Sequence, residues 1–241
     1  IAANWKMHKT IGETEEYIKS FLPMVKDVED VEILLAPTYT SLMAASALLK
    51  DSNVKLGAQN MHWEDKGAYT GEISPIMLLD VGCSHVIIGH SERRQYFGET
   101  DETVNKRIAA AKKHGLGVIF CIGETIEERE AGKTYDVLKR QLSGGLKDLD
   151  IKDITIAYEP VWAIGTGKTA TPEMANEAHT FIRNWLKENY GKEGEEVRIQ
   201  YGGSVKPGNV KELMEQPEID GALVGGASLE PDSFAQIVKY K

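Results

Sequence analysis

A rhythm constrains this chain more than any single motif. Eight short apolar runs recur: Ile1–Ala3, Val31–Ala36, Val54–Ala58, His85–Gly89, Gly117–Cys121, Ile154–Ala157, Val197–Tyr201 and Gly221–Val224. Between them lie stretches patterned as helices, among them Glu13–Leu22, Tyr39–Leu49, Asp101–His114, Ala131–Leu149, Pro172–Asn189, Val210–Glu215 and Pro231–Val238. Thr171-Pro172-Glu173 is the clearest helix start: a capping side chain, proline at the first position and an acid in the first turn. The repeat averages about 30 residues, the size of one βα unit. Strands that alternate with helices pair in parallel. Eight of them, with no charge shift and no Ser/Gly/Pro-rich linker, predict a single α/β domain over residues 1–241, closed as a (β/α)8 barrel.

Composition supports that reading where it bears on it. With 241 residues and 41% hydrophobic side chains, the chain can fill one large core. No apolar run approaches the roughly 18 residues of a membrane span, and no signal-peptide pattern opens the chain. It begins at Ile1 rather than Met. The net charge of −9, without a basic cluster, argues against nucleic acid and against an anionic membrane surface. Any anionic ligand must then be captured by local donors. Cys83 and Cys121 form neither a C-x-x-C pair nor a disulfide framework, which suits a reducing cytoplasm.

In a barrel of this kind the chemistry collects where strands end and βα loops begin. Those positions hold Asn4 and Lys6 after the first strand, His90 and Glu92 after the fourth, Glu124 after the fifth and Glu159 after the sixth. Glu159 is badly placed for a core, and Pro160 stops the strand at the carboxylate because it has no N–H for a further ladder bond. The apolar, glycine-containing stretch that follows, residues 160–168, can fold over a ligand and swing away. A turn with an exposed Glu is the plainer alternative. One amine, one imidazole and one carboxylate at a single mouth can abstract a proton beside a carbonyl and stabilise the enediolate.

The last two strands end almost without reactive side chains. Tyr201-Gly202-Gly203-Ser204 and Gly225-Gly226 offer backbone N–H groups followed by a helical pattern, an arrangement that binds phosphate. The alternative is ordinary turn glycines. Gly165-Thr166-Gly167-Lys168-Thr169 is no nucleotide loop, because Trp162 stands where that motif needs its first glycine. His90 differs from the other five histidines in that a strand ends at it and a polar helical turn begins just after, so the helix N-terminus should keep the ring neutral. No second His, Cys or carboxylate lies at metal-ligand spacing, so a zinc site is not expected. One connection breaks the rhythm: Asn60–Ile73 is a long loop carrying Met61, Trp63 and Tyr69, apolar side chains expected to miss their own core and mark an interface.

Asn4-Trp5-Lys6-Met7, Ile88 to Arg94, Ala157 to Lys168, Tyr201 to Val205 and Leu223 to Leu229 together resemble the triosephosphate isomerase family, in order and nearly end to end. The resemblance implies interconversion of dihydroxyacetone phosphate and glyceraldehyde 3-phosphate, a step of glycolysis and gluconeogenesis, without cofactor or metal. It makes Glu159 the base and neutral His90 the electrophile. Lys6 and Asn4 would stabilise the enediolate, and Glu92 would support His90 and Lys6. Residues 160–168 would be the closing lid, with Gly165, Ser204, Gly225 and Gly226 gripping the phosphate. It also implies a homodimer in which the segment Gly67–Glu72 inserts beside a neighbour's Asn4 and Lys6, with Thr70 buttressing that lysine. Two other readings compete. A barrel for a larger sugar phosphate would share the glycine ends but has no reason to combine Asn4, Lys6, His90 and Glu159. A silent binding or scaffold barrel would be expected to lose at least one of Lys6, His90 and Glu159.

Overall fold

In the computed structural model, which describes residues 1–163 and 170–241, the eight expected strands form one closed barrel. They are β1 (Ala2–Asn4), β2 (Ile33–Ala36), β3 (Val54–Ala58), β4 (His85–Ile88), β5 (Gly117–Ile122), β6 (Ile154–Tyr158), β7 (Ile199–Tyr201) and β8 (Gly221–Val224). Neighbours in sequence are neighbours in space, all parallel. The β1–β8 seam is closed through Ala2↔Leu223 and Ala3↔Val224.

The strands are apolar on both faces because both faces are covered. Ala2, Leu34, Ala36, Ile87, Ile119, Cys121, Ala157 and Leu223 form one buried cluster. Their chain neighbours, such as Val86, Ile88, Ile156 and Tyr158, belong to a second and larger one. With a side-chain period of two, the first cluster fills the barrel and the second packs under the helices. The same period continues past the strand ends: Asn4 lies two residues beyond Ala2, and Glu159 two beyond Ala157. Polar side chains thus cap the apolar interior at one end.

The connecting helices are α1 (Ile11–Val25), α2 (Leu42–Leu49), α3 (Pro75–Asp80), α4 (Ser91–Phe97), α5 (Asp101–Lys113), α6 (Ile126–Glu130), α7 (Thr134–Gly145), α8 (Pro172–Tyr190), α9 (Lys192–Glu196), α10 (Val210–Met214) and α11 (Pro231–Val238). Thr171 caps α8 as read, its hydroxyl accepting from Met174 N–H at 3.2 Å. Helices α3, α6 and α9, of five or six residues each, differ from the sequence reading, which placed no helix there. Two of them carried a start signal nonetheless: Ser74-Pro75 opens α3, and Thr125 with Glu128 forms a capping box at α6. The helix expected over Ala131–Leu149 is shorter, Thr134–Gly145.

The loop after β3 corrects an expectation. Met61 is fully buried in its own barrel, with its carbonyl accepting from Arg107 Nε at 2.8 Å, and Trp63 is half-buried with that guanidinium 5.1 Å over its ring. Asp65 is held by His114 at 2.6 Å and Lys113 at 3.1 Å. The base of the loop folds back because its apolar side chains do reach the core. Residues 66 to 72 stay exposed, including Tyr69, which packs on His62 at 4.3 Å between ring centroids.

Buried on α8, His179 donates from Nδ1 to Glu218 O at 2.9 Å, and burial lowers its pKa from 6.5 to about 4. A folded state that resists a proton the unfolded chain accepts loses stability as pH falls from about 6.5 towards 4, by on the order of 3 kcal/mol. His179→Gln, which keeps a donor to Glu218 but cannot titrate, is expected to flatten that part of the profile. Urea midpoints at pH 7 and pH 4.5 measure it; equal losses in both proteins would contradict the assignment.

Candidate active site

A cavity of about 590 Å³ opens at the end of the barrel where the strands terminate, lined by Asn4, Lys6, His90, Glu159, Ser204, Gly225 and Gly226 among others. Every candidate read from the sequence borders it except three. Glu92 stands one hydrogen bond behind, Glu124 is buried away from it, and Gly165 lies outside the described residues. A larger hollow, about 850 Å³, occupies the opposite end. There Glu32 is bound by Lys55 and Arg198, both at 2.6 Å.

At the end of β1 the chain turns sharply. Lys6 adopts φ of 54°, a left-handed conformation unusual for a lysine. It is held there by its neighbours: Lys6 N–H donates to Asn4 Oδ1 at 3.0 Å, and Gln59 Nε2 donates to Lys6 O at 2.8 Å and Ala36 O at 2.9 Å. Strain maintained by specific bonds is a mark of a functional position. The ammonium then reaches across the mouth to Glu92 Oε1 at 2.6 Å.

His90 is the cap of α4, and Glu92 N–H donates to its Nδ1 at 3.2 Å. That bond leaves Nδ1 without a proton, so the ring's hydrogen sits on Nε2. Nε2 faces Glu159 Oε1 at 2.9 Å. Glu159 also accepts from Ser91 N–H at 3.0 Å and from Ser91 Oγ–H at 3.2 Å. Burial alone would raise the Glu159 pKa, but His90, Ser91 and Lys6 together hold it below the usual carboxylate range. Burial likewise opposes a charged His90, yet the adjacent carboxylate outweighs it and raises the imidazole pKa. The helix contact expected at His90 is therefore present, but in this arrangement a carboxylate from β6, which the sequence could not place, opposes its effect.

Across the mouth, Ser228 N–H donates to Gly225 O at 2.8 Å and Leu229 N–H to Gly226 O at 3.1 Å, making a 3-10 turn at Gly226–Ser228. Helix α11 reaches the cavity through Ser233, and this turn opens onto it through Gly226 and Ala227. The N–H groups of Gly226 and Ala227 precede its first bond, which is the condition for anion capture. Lys6 passes close by, its Cε 3.4 Å from where a side chain on Gly225 would begin. Gly202 serves a different end: a Cβ there would lie 2.9 Å from Glu159 Cγ, so its bareness makes room for the carboxylate.

Comparison with known proteins agrees with this geometry. The sequence model of the family described as triosephosphate isomerase matches residues 1–241. The chain belongs to the triosephosphate isomerase family. It is 59% identical to the triosephosphate isomerase of Geobacter metallireducens, with 100% of this chain and 98% of that one covered. To that of Dictyoglomus thermophilum it is 58% identical, at 99% and 98% coverage. The crystal structure of triosephosphate isomerase from Bartonella henselae superposes with a TM-score of 0.92 at 43% identity, covering 100% of this chain and 98% of that one. The chain is accordingly an isomerase with a TIM-barrel fold.

Several side chains around this cavity have partners that the sequence does not disclose. Ser91 and Gln59 act through hydrogen bonds formed only when distant strand ends meet. Glu124, fully buried, accepts from Tyr158 Oη–H at 3.1 Å, Trp162 Nε1–H at 3.0 Å and Arg129 at 3.1 Å. It thereby ties down the start of the stretch read as a lid. The rest of that stretch, residues 164–168, lies outside the described residues.

Proposed function

We propose that this chain interconverts dihydroxyacetone phosphate and D-glyceraldehyde 3-phosphate through an enediolate, as a step of glycolysis and gluconeogenesis in the cytoplasm. The observation that carries this reading is the 2.9 Å contact between two catalytic candidates, His90 Nε2 and Glu159 Oε1. A substrate whose carbonyl oxygen takes over the Nε2 proton frees the Glu159 carboxylate. Glu159, kept ionised by its surroundings, then removes the proton from the adjacent carbon. Without the carboxylate beside it, His90 is left with burial and the α4 N-terminus, both of which favour the neutral ring. Lys6 and Asn4 face the developing enediolate, and Glu92 holds Lys6 in place. The N–H groups at Gly225 and Gly226, with Ser204 and Gly165, would bind the phosphate against the chain's net negative charge. Turnover of dihydroxyacetone phosphate in D2O tests the route. Deuterium at the carbon beside the aldehyde of the product is expected, whereas product free of solvent label would contradict removal of the proton to a base that exchanges with solvent.

The site is proposed to be completed by a second copy of the chain, with the loop tip at residues 67–72 reaching a neighbour's Asn4 and Lys6. In support, all the exposed large apolar side chains among the described residues except Tyr135 lie in the first four βα units, including Met7, Met43, Ile76, Met77, Tyr96 and Phe97. Apolar surface gathered in one sector of a barrel suits a self-complementary contact.

A further inference from the structure

Behind Glu159 a buried amide holds the end of the neighbouring strand. Gln141, on α7, is 4% exposed. Both of its polar atoms serve one residue: Gly123 N–H donates to Oε1 at 2.8 Å, and Nε2 donates to Gly123 O at 3.2 Å. Gly123 sits just past β5. Glu159 N–H donates to Ile122 O at 2.7 Å and Val161 N–H to Glu124 O at 3.1 Å, so the alternate ladder bonds to the β6 side fall on either side of Gly123. The polar groups of Gly123 therefore turn outward to α7, and Gln141 takes the place of a strand partner.

The other side of Gly123 is in hard contact with the residue that matters. A Cβ on Gly123 would lie 1.7 Å from Glu159 O, 2.7 Å from its carbonyl carbon and 3.2 Å from its Cα. Only a glycine fits, and its peptide backs directly onto the main chain that carries the carboxylate.

We propose that Gln141 is a positioning residue for Glu159, acting through Gly123; this rests on Glu159 being the base, as set out above. The double hydrogen bond fixes the Gly123 peptide, and that peptide fixes how far Glu159 stands from the mouth. Without the amide, two part-buried backbone groups lose their partners and the end of β5 shifts to find others, taking the end of β6 with it. A misplacement of ~1 Å at a reacting group costs about 10²-fold in rate. Substrate affinity should be spared, because among the described residues the hydrogen bonds of Gln141 go to Gly123 and not to Ser204, Gly225, Gly226 or Lys6.

Steady-state kinetics of Gln141→Ala and Gln141→Glu, each with its melting temperature, test this beside Glu159→Gln. In Gln141→Ala, kcat should fall about 10- to 100-fold while KM stays within about twofold. Gln141→Glu keeps an acceptor for Gly123 N–H but loses the donor, and should fall between that variant and the unmodified protein. A folded Gln141→Ala that melts lower but turns over normally, or that loses only in KM, would overturn the positioning role. If that variant does not fold, Gln141→Glu is judged by the same kcat and KM criteria. An active Glu159→Gln would instead remove the base assignment; an inactive one beside a fully active Gln141→Ala would sink the positioning role alone.

Discussion

Glu159→Gln is expected to fold like the unmodified protein and to lower kcat by at least the ~10²–10⁴-fold typical of a positioned acid–base group. The substitution is nearly isosteric in a site with no spare room, between Gly202 and the main chain of β6. Its amide oxygen can still accept from Ser91 N–H, now at 3.0 Å from Oε2. What it cannot do is take a proton. Near-ultraviolet circular dichroism would show whether the packing survives, and turnover at saturating substrate would give the effect. A correctly folded variant with near-normal kcat would show that the base lies elsewhere.

The second large effect concerns assembly. Excising the whole of residues 61–71 would be a poor test, because Met61 and Trp63 belong to their own barrel and Asp65 is tied to His114 and Lys113. Replacing only the exposed tip, residues 66 to 72, with a short polar turn spares those anchors. The expected product is a folded monomer in which Asn4, Lys6, His90 and Glu159 are all present yet kcat/KM is down by about 10²-fold, the scale of a catalytic group displaced by ~1 Å. A stable contact between copies should bury more than about 1,200 Å². Sedimentation of the unmodified protein at micromolar concentration is the decisive measurement. A single-chain mass there would end the dimer reading, and full activity of the tip variant would end the claim that a neighbour completes the site.

The sequence by itself determined a good deal. Eight β-branched and apolar runs at the spacing of βα units allow little other than a parallel barrel, since a parallel sheet must be covered on both faces. The strand ends then say where reactive side chains can collect, because Asn4 and Glu159 continue the inward period of Ala2 and Ala157. Local chemistry was equally legible at Thr171-Pro172 and at the start of α4, where cap and helix are neighbours in the chain.

Tertiary structure decided what depends on separations the chain cannot display. The raised pKa of His90 comes from Glu159, 69 positions away in sequence and 2.9 Å away in space. Lys6 takes a left-handed backbone that Gln59 holds from β3, and a lysine gives no local sign of it. The loop after β3 reads as an apolar surface, yet its base is core, because whether Met61 is exposed depends on the space left by α5 rather than on Met61. The same is true of Gln141 and Gly123: each is unremarkable in its own stretch, and only closure of the barrel brings one behind the other and both behind the carboxylate. Periodicity and caps are short-range and so are written in the sequence. Hydrogen bonds and charges between strand ends are long-range, and exist only once the sheet has closed.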